Sequence, residues 1–137
     1  MKIKNFALLA SVAGLLAACG GSIVEPADLN EQLVFFDFNS AEISEDAENN
    51  LLGQALYMKN HEDVKIQIAG NCDERGSTEY NLALGARRAN AAKAVIVNDG
   101  VDASRISTIS YGKERPLVQG TGEEVWKWNR NAATTVK

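Results

Sequence analysis

Short strand-like runs alternate with longer helical patterns through most of this chain, and that order admits few folds. Residues 33–38, Leu-Val-Phe-Phe-Asp-Phe, form an apolar, aromatic run that reads as a buried strand. Ser44 is placed to cap the helix that follows, and Glu45 and Asp46 suit its positive N-terminal end. Ala47, Leu51 and Ala55, with Leu52 and Leu56, recur at helical spacing as far as about Asn60. Residues 64–68 alternate cleanly and predict a second strand with one buried face. Gly70 begins a polar loop over 71–77, and a long helix spans about 78–97. Asn98, Asp99 and Gly100 end it, with Gly100 as a left-handed cap. Residues 106–111 predict a third strand, 112–116 a turn, 123–129 a short helix and 133–137 a last, weakly apolar and frayed strand. Strands separated by helices predict an α/β (α+β) sandwich, βαβαβ with a short helix and a final strand, its helices packed on a mixed sheet. Periodicity leaves the strand order open.

The N-terminus has a different character. Lys2 and Lys4 form a charged start, and residues 6–16 an apolar segment of the length used for export. That segment is shorter than the ~20 apolar residues of a membrane-spanning helix. Leu16-Ala17-Ala18-Cys19 resembles a lipobox, the signal that makes the cysteine the first, lipid-modified residue of a bacterial lipoprotein. The alternative is an ordinary secretory peptide that happens to contain a cysteine. The chain thus divides into a signal peptide at 1–18, a lipidated N-terminus and linker at 19–30, and a folded domain at 31–137. The eleven linker residues after Cys19 reach at most ~40 Å when extended. As a coil they span roughly 20 Å. Gly20, rather than Asp, follows Cys19, which fits sorting to the outer membrane.

Charge and cysteine usage exclude several functions. The full chain carries a net charge of −4, and loss of Lys2 and Lys4 with the signal peptide takes it to −6. Nucleic acid is excluded as a partner, because phosphate binding wants a basic surface. Lipidation of Cys19 leaves Cys72 without a disulfide partner, and no zinc-type cysteine pair exists. His61 is the single histidine and follows the end of the first helix, where it reads as a surface residue. No metal or cofactor is expected.

The long helix contains a conflict. Tyr80, Leu84, Ala91 and Val95 line one face at 100° per residue, and Arg87 and Arg88 border that apolar stripe. A guanidinium held against a core face wants a carboxylate or a bound anion. The loop before the helix offers Asp73, Glu74 and Glu79. If the helix folds back along the sheet, Asp73 and Arg88 meet at one cleft. Such a pair suits a zwitterion: Asp73 accepts from an ammonium, and Arg88 grips a carboxylate through two parallel hydrogen bonds. A direct ion pair between Arg88 and Asp73, or a neighbouring glutamate, is the alternative that spacing leaves open.

The same residues carry a resemblance. The run from Gly70-Asn71-Cys72-Asp73-Glu74-Arg75-Gly76 through Tyr80-Asn81-Leu82 to Arg87-Arg88-Ala89-Asn90 resembles the signature of OmpA-type peptidoglycan-binding domains, most closely those of the peptidoglycan-associated lipoprotein family. Phe35-Phe36-Asp37-Phe38-Asn39 resembles the first strand of that family, and Ser110-Tyr111-Gly112-Lys113-Glu114-Arg115-Pro116 its third-strand exit. The resemblance implies an OmpA-C-like fold and noncovalent binding of the peptidoglycan stem peptide at the zwitterionic end of diaminopimelate. It implies that Asp73 and Arg88 bind the ligand, that Asn81 supports the site, and that Asp37 lies near the ligand backbone. It also implies an outer-membrane lipoprotein facing the periplasm, within a Tol–Pal-type system whose periplasmic protein partner binds on an overlapping surface. Two departures stand out. Asn71-Cys72 replaces a His-Ala or Thr-containing pair, which removes any histidine pH dependence, and Asn131 follows Arg130 where relatives have paired arginines.

Two rival functions follow from single features. A cell-wall thiol hydrolase would use Cys72, but no Cys-His-Asn or Ser-His-Asp set can be assembled around it, so an enzyme is not expected. A periplasmic interaction scaffold with a degenerate wall site would share the anchor and the fold.

Overall fold

The computed structural model describes residues 23–137. The expected signal peptide at 1–18 and the expected lipidation site, Cys19, lie outside the described residues. The elements are β1 (Gln32–Phe35), α1 (Glu45–Asn60), β2 (Ile66–Asn71), α2 (Thr78–Asn98), a 3-10 turn (Ala103–Arg105), β3 (Ile106–Gly112), α3 (Glu123–Asn129) and β4 (Asn131–Val136). No helix among the described residues is long and apolar enough to cross a membrane.

Both long helices start at a capping serine, Ser44 as the sequence implies and Ser77 as the structure shows. Ser44 Oγ accepts from the Ala47 N–H at 3.1 Å, and Ser77 Oγ accepts from the Tyr80 N–H at 3.1 Å. Each bond satisfies one of the backbone donors left free in a first helical turn. Gly100, with φ +110°, takes the left-handed conformation expected just beyond α2.

The four strands form one mixed sheet in the order β1-β4-β2-β3. β1 and β2 each pair antiparallel with β4, while β2 and β3 run parallel and are joined through α2. β4 therefore fills the gap between β1 and β2 instead of fraying, a correction to the expectation for residues 133–137. Its residues are small, and Ala132 and Thr134 pack inward, the latter donating its hydroxyl to buried Gln54 at 2.6 Å. β2 also begins and ends later than alternation implied. Gly70 and Asn71 are strand residues, not loop.

α1 and α2 pack together on the sheet. Leu51, Ala55 and Met58 of α1 meet Ile66 and Ile68 of β2 and Ala89, Ala92 and Ile96 of α2 in the core. Burial of each large aliphatic side chain stabilises the fold by about 1.5–3 kcal/mol. The inner face of α2 is not the predicted one. Asn81, Leu84, Gly85, Arg88, Ala89, Ala92 and Ile96 are its buried residues, whereas Tyr80 is 41% exposed. The reason is a backbone-to-backbone contact. A Cβ on Gly70 would lie 1.7 Å from the Gly85 carbonyl oxygen, so β2 and α2 approach as only two glycines permit. That approach rotates Arg88 into the interior and leaves Arg87 outside.

Residues 23–30 were expected as linker, yet they form a strap against α1. Leu29 is fully buried in the core. The Val24 carbonyl sits where a Cβ on Gly53 would be, and Asn60 donates to Glu25 at 3.2 Å.

Candidate functional site

The loops at one end of the sheet gather around Asp73 and Arg88. Asp73 is the second residue after β2, and Arg88 is about ten residues into α2. Side chains tilt toward a helix's N-terminus, so Arg88 reaches back to the end of β2. Its Nη1 donates to the Asn71 carbonyl at 2.9 Å. Its Nε donates to the Ser40 carbonyl at 2.8 Å and its Nη2 to the Asp37 carbonyl at 2.9 Å, both in the segment joining β1 to α1. Arg88 is 0% exposed. A guanidinium has five N–H donors, and three are used here.

Those three partners are neutral. Among the described residues, the ion pairs do not include Arg88. Burial draws its pKa down, against weaker opposing help from the Cys72 and Asp73 side chains. The direct Asp73–Arg88 ion pair that spacing left open is therefore not the arrangement found.

Asp73 is paired elsewhere. Its Oδ1 accepts from Arg75 Nε at 3.1 Å and its Oδ2 from Arg75 Nη2 at 2.7 Å, while the Arg75 backbone N–H reaches Oδ1 at 3.0 Å. Arg130 Nη1 approaches Oδ2 at 3.4 Å. Burial works to raise the Asp73 pKa, but the Arg75 and Arg130 hydrogen bonds outweigh it and hold the carboxyl below its ordinary value.

Arg130 uses four of its five donors. It grips Glu123 with two parallel bonds of 2.9 and 2.7 Å and donates to the Phe36 carbonyl at 2.8 Å. Glu123 in return raises the Arg130 pKa, and Arg130 lowers that of Glu123.

Asn81 holds the loop that carries Asp73 and Arg75. Its Nδ2 donates to the Arg75 carbonyl at 2.7 Å and the Ser77 carbonyl at 3.0 Å. Lys113 Nζ donates to the Gly76 carbonyl at 2.6 Å, and Glu74 accepts from Trp126 Nε1 at 2.7 Å and Thr121 Oγ1 at 2.8 Å. Asp37 brings its backbone carbonyl to Arg88, and its side chain is exposed. Asp73, Arg88 and Asn81 thus converge with the Asp37 backbone, while Cys19 lies outside the described residues.

The sequence departures pair with each other. Asn71 and Asn131 face one another across β2 and β4, and Asn71 Nδ2 donates to Asn131 Oδ1 at 2.9 Å. Cys72 is buried, its Sγ donates to the Asn81 carbonyl at 3.3 Å, and burial pushes its thiol pKa up. That disfavours the thiolate a nucleophile needs. His61, on the surface, instead stacks on Tyr57.

Residues 35–130 match the OmpA family. The chain belongs to the OmpA family. Among its relatives is a peptidoglycan-associated lipoprotein from Haemophilus influenzae, 36% identical over 146 residues that cover 95% of each chain. Another peptidoglycan-associated lipoprotein, from Mesorhizobium japonicum, is 48% identical over 103 residues, 75% of this chain and 61% of that relative. The match therefore spans about three fifths of the rhizobial relative's length. A crystal structure of the peptidoglycan-associated lipoprotein from Burkholderia pseudomallei matches with a TM-score of 0.76 at 38% identity, covering 78% of this chain and 91% of that one. The C-terminal domain of Helicobacter pylori MotB matches with a TM-score of 0.72 at 21% identity, covering 77% and 84%, a likeness of fold alone. The mixed sheet covered by helices is thus the fold of other OmpA-family domains.

Arg75 and Arg130 are the site residues that sequence reasoning missed as such. Arg75 lies in an aperiodic loop, and its signal was its place two residues after Asp73. Arg130 was visible as the first of a pair broken by Asn131.

Proposed function

We propose that this OmpA-family domain binds peptidoglycan noncovalently, through the zwitterionic end of diaminopimelate in the stem peptide. The observation that carries this reading is Arg88: a fully buried guanidinium held by three carbonyls, with no carboxylate paired to it among the described residues. Three neutral acceptors orient the group without neutralising it. A ligand carboxylate would add a charge-assisted, two-bond contact on its remaining donors. Asp73 lies in the same small void and would accept the ligand's ammonium. Asn81 keeps the Asp73 loop in place, and Asp37 borders the ligand's backbone. The names of the lipoprotein relatives support peptidoglycan as the target.

The role is binding rather than catalysis, because the thiol is buried and the machinery is a pair of fixed charges. With Cys19 lipidated, the protein tethers the outer membrane to the wall from the periplasmic side. A Tol–Pal-type system, with a periplasmic protein partner competing for the same end of the domain, is the context this reading implies. Residues 1–18 act as the signal peptide.

Sedimentation with purified sacculi tests it. Asp73→Asn and Arg88→Lys keep size and most packing, and each should weaken co-sedimentation more than tenfold, the scale of one lost charge-assisted contact of about 1.5–3 kcal/mol. Unchanged co-sedimentation of both folded variants would remove the site assignment.

A further inference from the structure

We propose that Arg75 is an internal competitor in this cleft: its guanidinium occupies the place on Asp73 that an incoming ammonium takes, so a ligand has to displace it to enter. The inference rests on the wall-binding reading above and specifies what a ligand must displace to enter.

The geometry is that of an internal stand-in. Arg75 presents its fork to both oxygens of Asp73, at 3.1 and 2.7 Å, as a bound cationic group would. Its guanidinium carbon lies 3.8 Å from the Phe38 ring centroid and 4.0 Å from that of Trp126. Two aromatic faces therefore hold the charge in the mouth of the cleft. The void left between Asp73 and Arg88 is about 10 Å³, room for about one water molecule and not for an amino-acid side chain. Entry requires a lining group to leave.

The neighbours decide which group that is. Arg130 is tied down by Glu123 and the Phe36 carbonyl, and Arg88 by three carbonyls from two segments. Arg75 is the partly exposed cation, 31% exposed along its side chain, and is followed by Gly76 at φ +96°. A carboxylate has about four acceptor positions, and Arg75 and Arg130 already supply four donors. A ligand ammonium replaces one cation with another, so Asp73 stays paired. A ligand with a neutral group at that position would leave buried Asp73 short of a partner, at a cost the swap avoids. Displaced Arg75 needs only to turn toward solvent.

The test is calorimetric titration of the full-length chain in detergent with synthetic L-Ala-γ-D-Glu-meso-diaminopimelate and with the same peptide acetylated on its free side-chain amine. The wild type should strongly prefer the free amine. Arg75→Gln should bind the free-amine peptide about three- to tenfold tighter, and the acetylated peptide tighter by a similar factor, because neither then has to displace Arg75. Arg75→Lys should fall between the two. In a Trp128→Phe background, the peptide should change Trp126 fluorescence as Arg75 leaves its ring, and Arg75→Gln should abolish that change. Weaker binding of both peptides by Arg75→Gln would make Arg75 a ligand clamp and overturn the inference, as would unchanged affinity for both. If the wild type binds neither peptide nor sacculi, it is the wall-binding reading that fails, and that outcome is separate.

Discussion

Arg88 and Arg130 are two buried guanidiniums in one cluster, and they meet the same desolvation problem in opposite ways. Arg130 is matched by two carboxylates, Glu123 and Asp73, and its pKa is raised. Arg88 is matched by three carbonyls, and its pKa is lowered. Arg130 is thereby a strut: its charge is cancelled within the protein, and its task is to join α3, β4 and the end of β1. Arg88 is a held charge, oriented by the backbone and, on the wall-binding reading, left for a ligand to neutralise. Two buried arginines thus differ in the character of their partners, and the wall-binding reading rests on that difference.

Substitution at the two positions should separate these roles. Arg130→Met should cost about 3 kcal/mol in urea denaturation, because it leaves the buried Phe36 carbonyl without its guanidinium donor and takes one charged partner from buried Asp73. Arg88→Met should cost less, about 1–2 kcal/mol, since what it strands is chiefly the buried Asn71 carbonyl. Its co-sedimentation with sacculi should nevertheless be abolished. Equal losses of stability at the two sites would break the contrast.

The acid limb of stability sharpens it further. Asp73 is held below the ordinary carboxylate pKa of about 3.9, so the folded state sheds its proton more readily than the unfolded chain. Its contribution should be fully present above about pH 4 and should fade as pH drops through the lower folded-state value. Thermal melts from pH 7 to 2 should show this slope, and Asp73→Asn should flatten it. Glu123→Gln should have the smallest effect, because the Glu123 carboxylate is largely exposed to water, and Arg130 keeps Asp73 and the Phe36 carbonyl as partners. A urea midpoint shifted as far as in Arg130→Met would show instead that Glu123 carries the strut.

Much of this was legible in the sequence, for identifiable reasons. The helices announced themselves through Ser44 and Gly100, whose chemistry is local. Asp73 and Arg88 were legible because an arginine near an apolar stripe is a conflict that only a partner resolves. The inner face of α2 was misjudged because large residues such as Tyr80 weigh heavily in a periodicity, whereas the packing there is led by Gly85 and Ala89. β4 looked weak for a similar reason. Alanine and threonine give little hydrophobic signal, yet between two strands the ladder of hydrogen bonds holds them. The fork of Arg75 on Asp73 and the Asn71–Asn131 bond were illegible because each depends on where two loops or two strands come to rest.

The strap formed by residues 23–30 gives the molecule compliance. On the tether reading, a pull from the membrane reaches α1 through this segment before it reaches the sheet. The segment holds α1 by side contacts, such as the bond from Asn60 to Glu25, while Leu29 is rooted in the core. Peeling residues 23–28 would pay out up to about 20 Å of extra chain while leaving Leu29 seated. Beyond that length the strain would fall on β1, whose bonds to β4 lie across the pull and share it. The envelope could then widen for a moment without the domain letting go of either side.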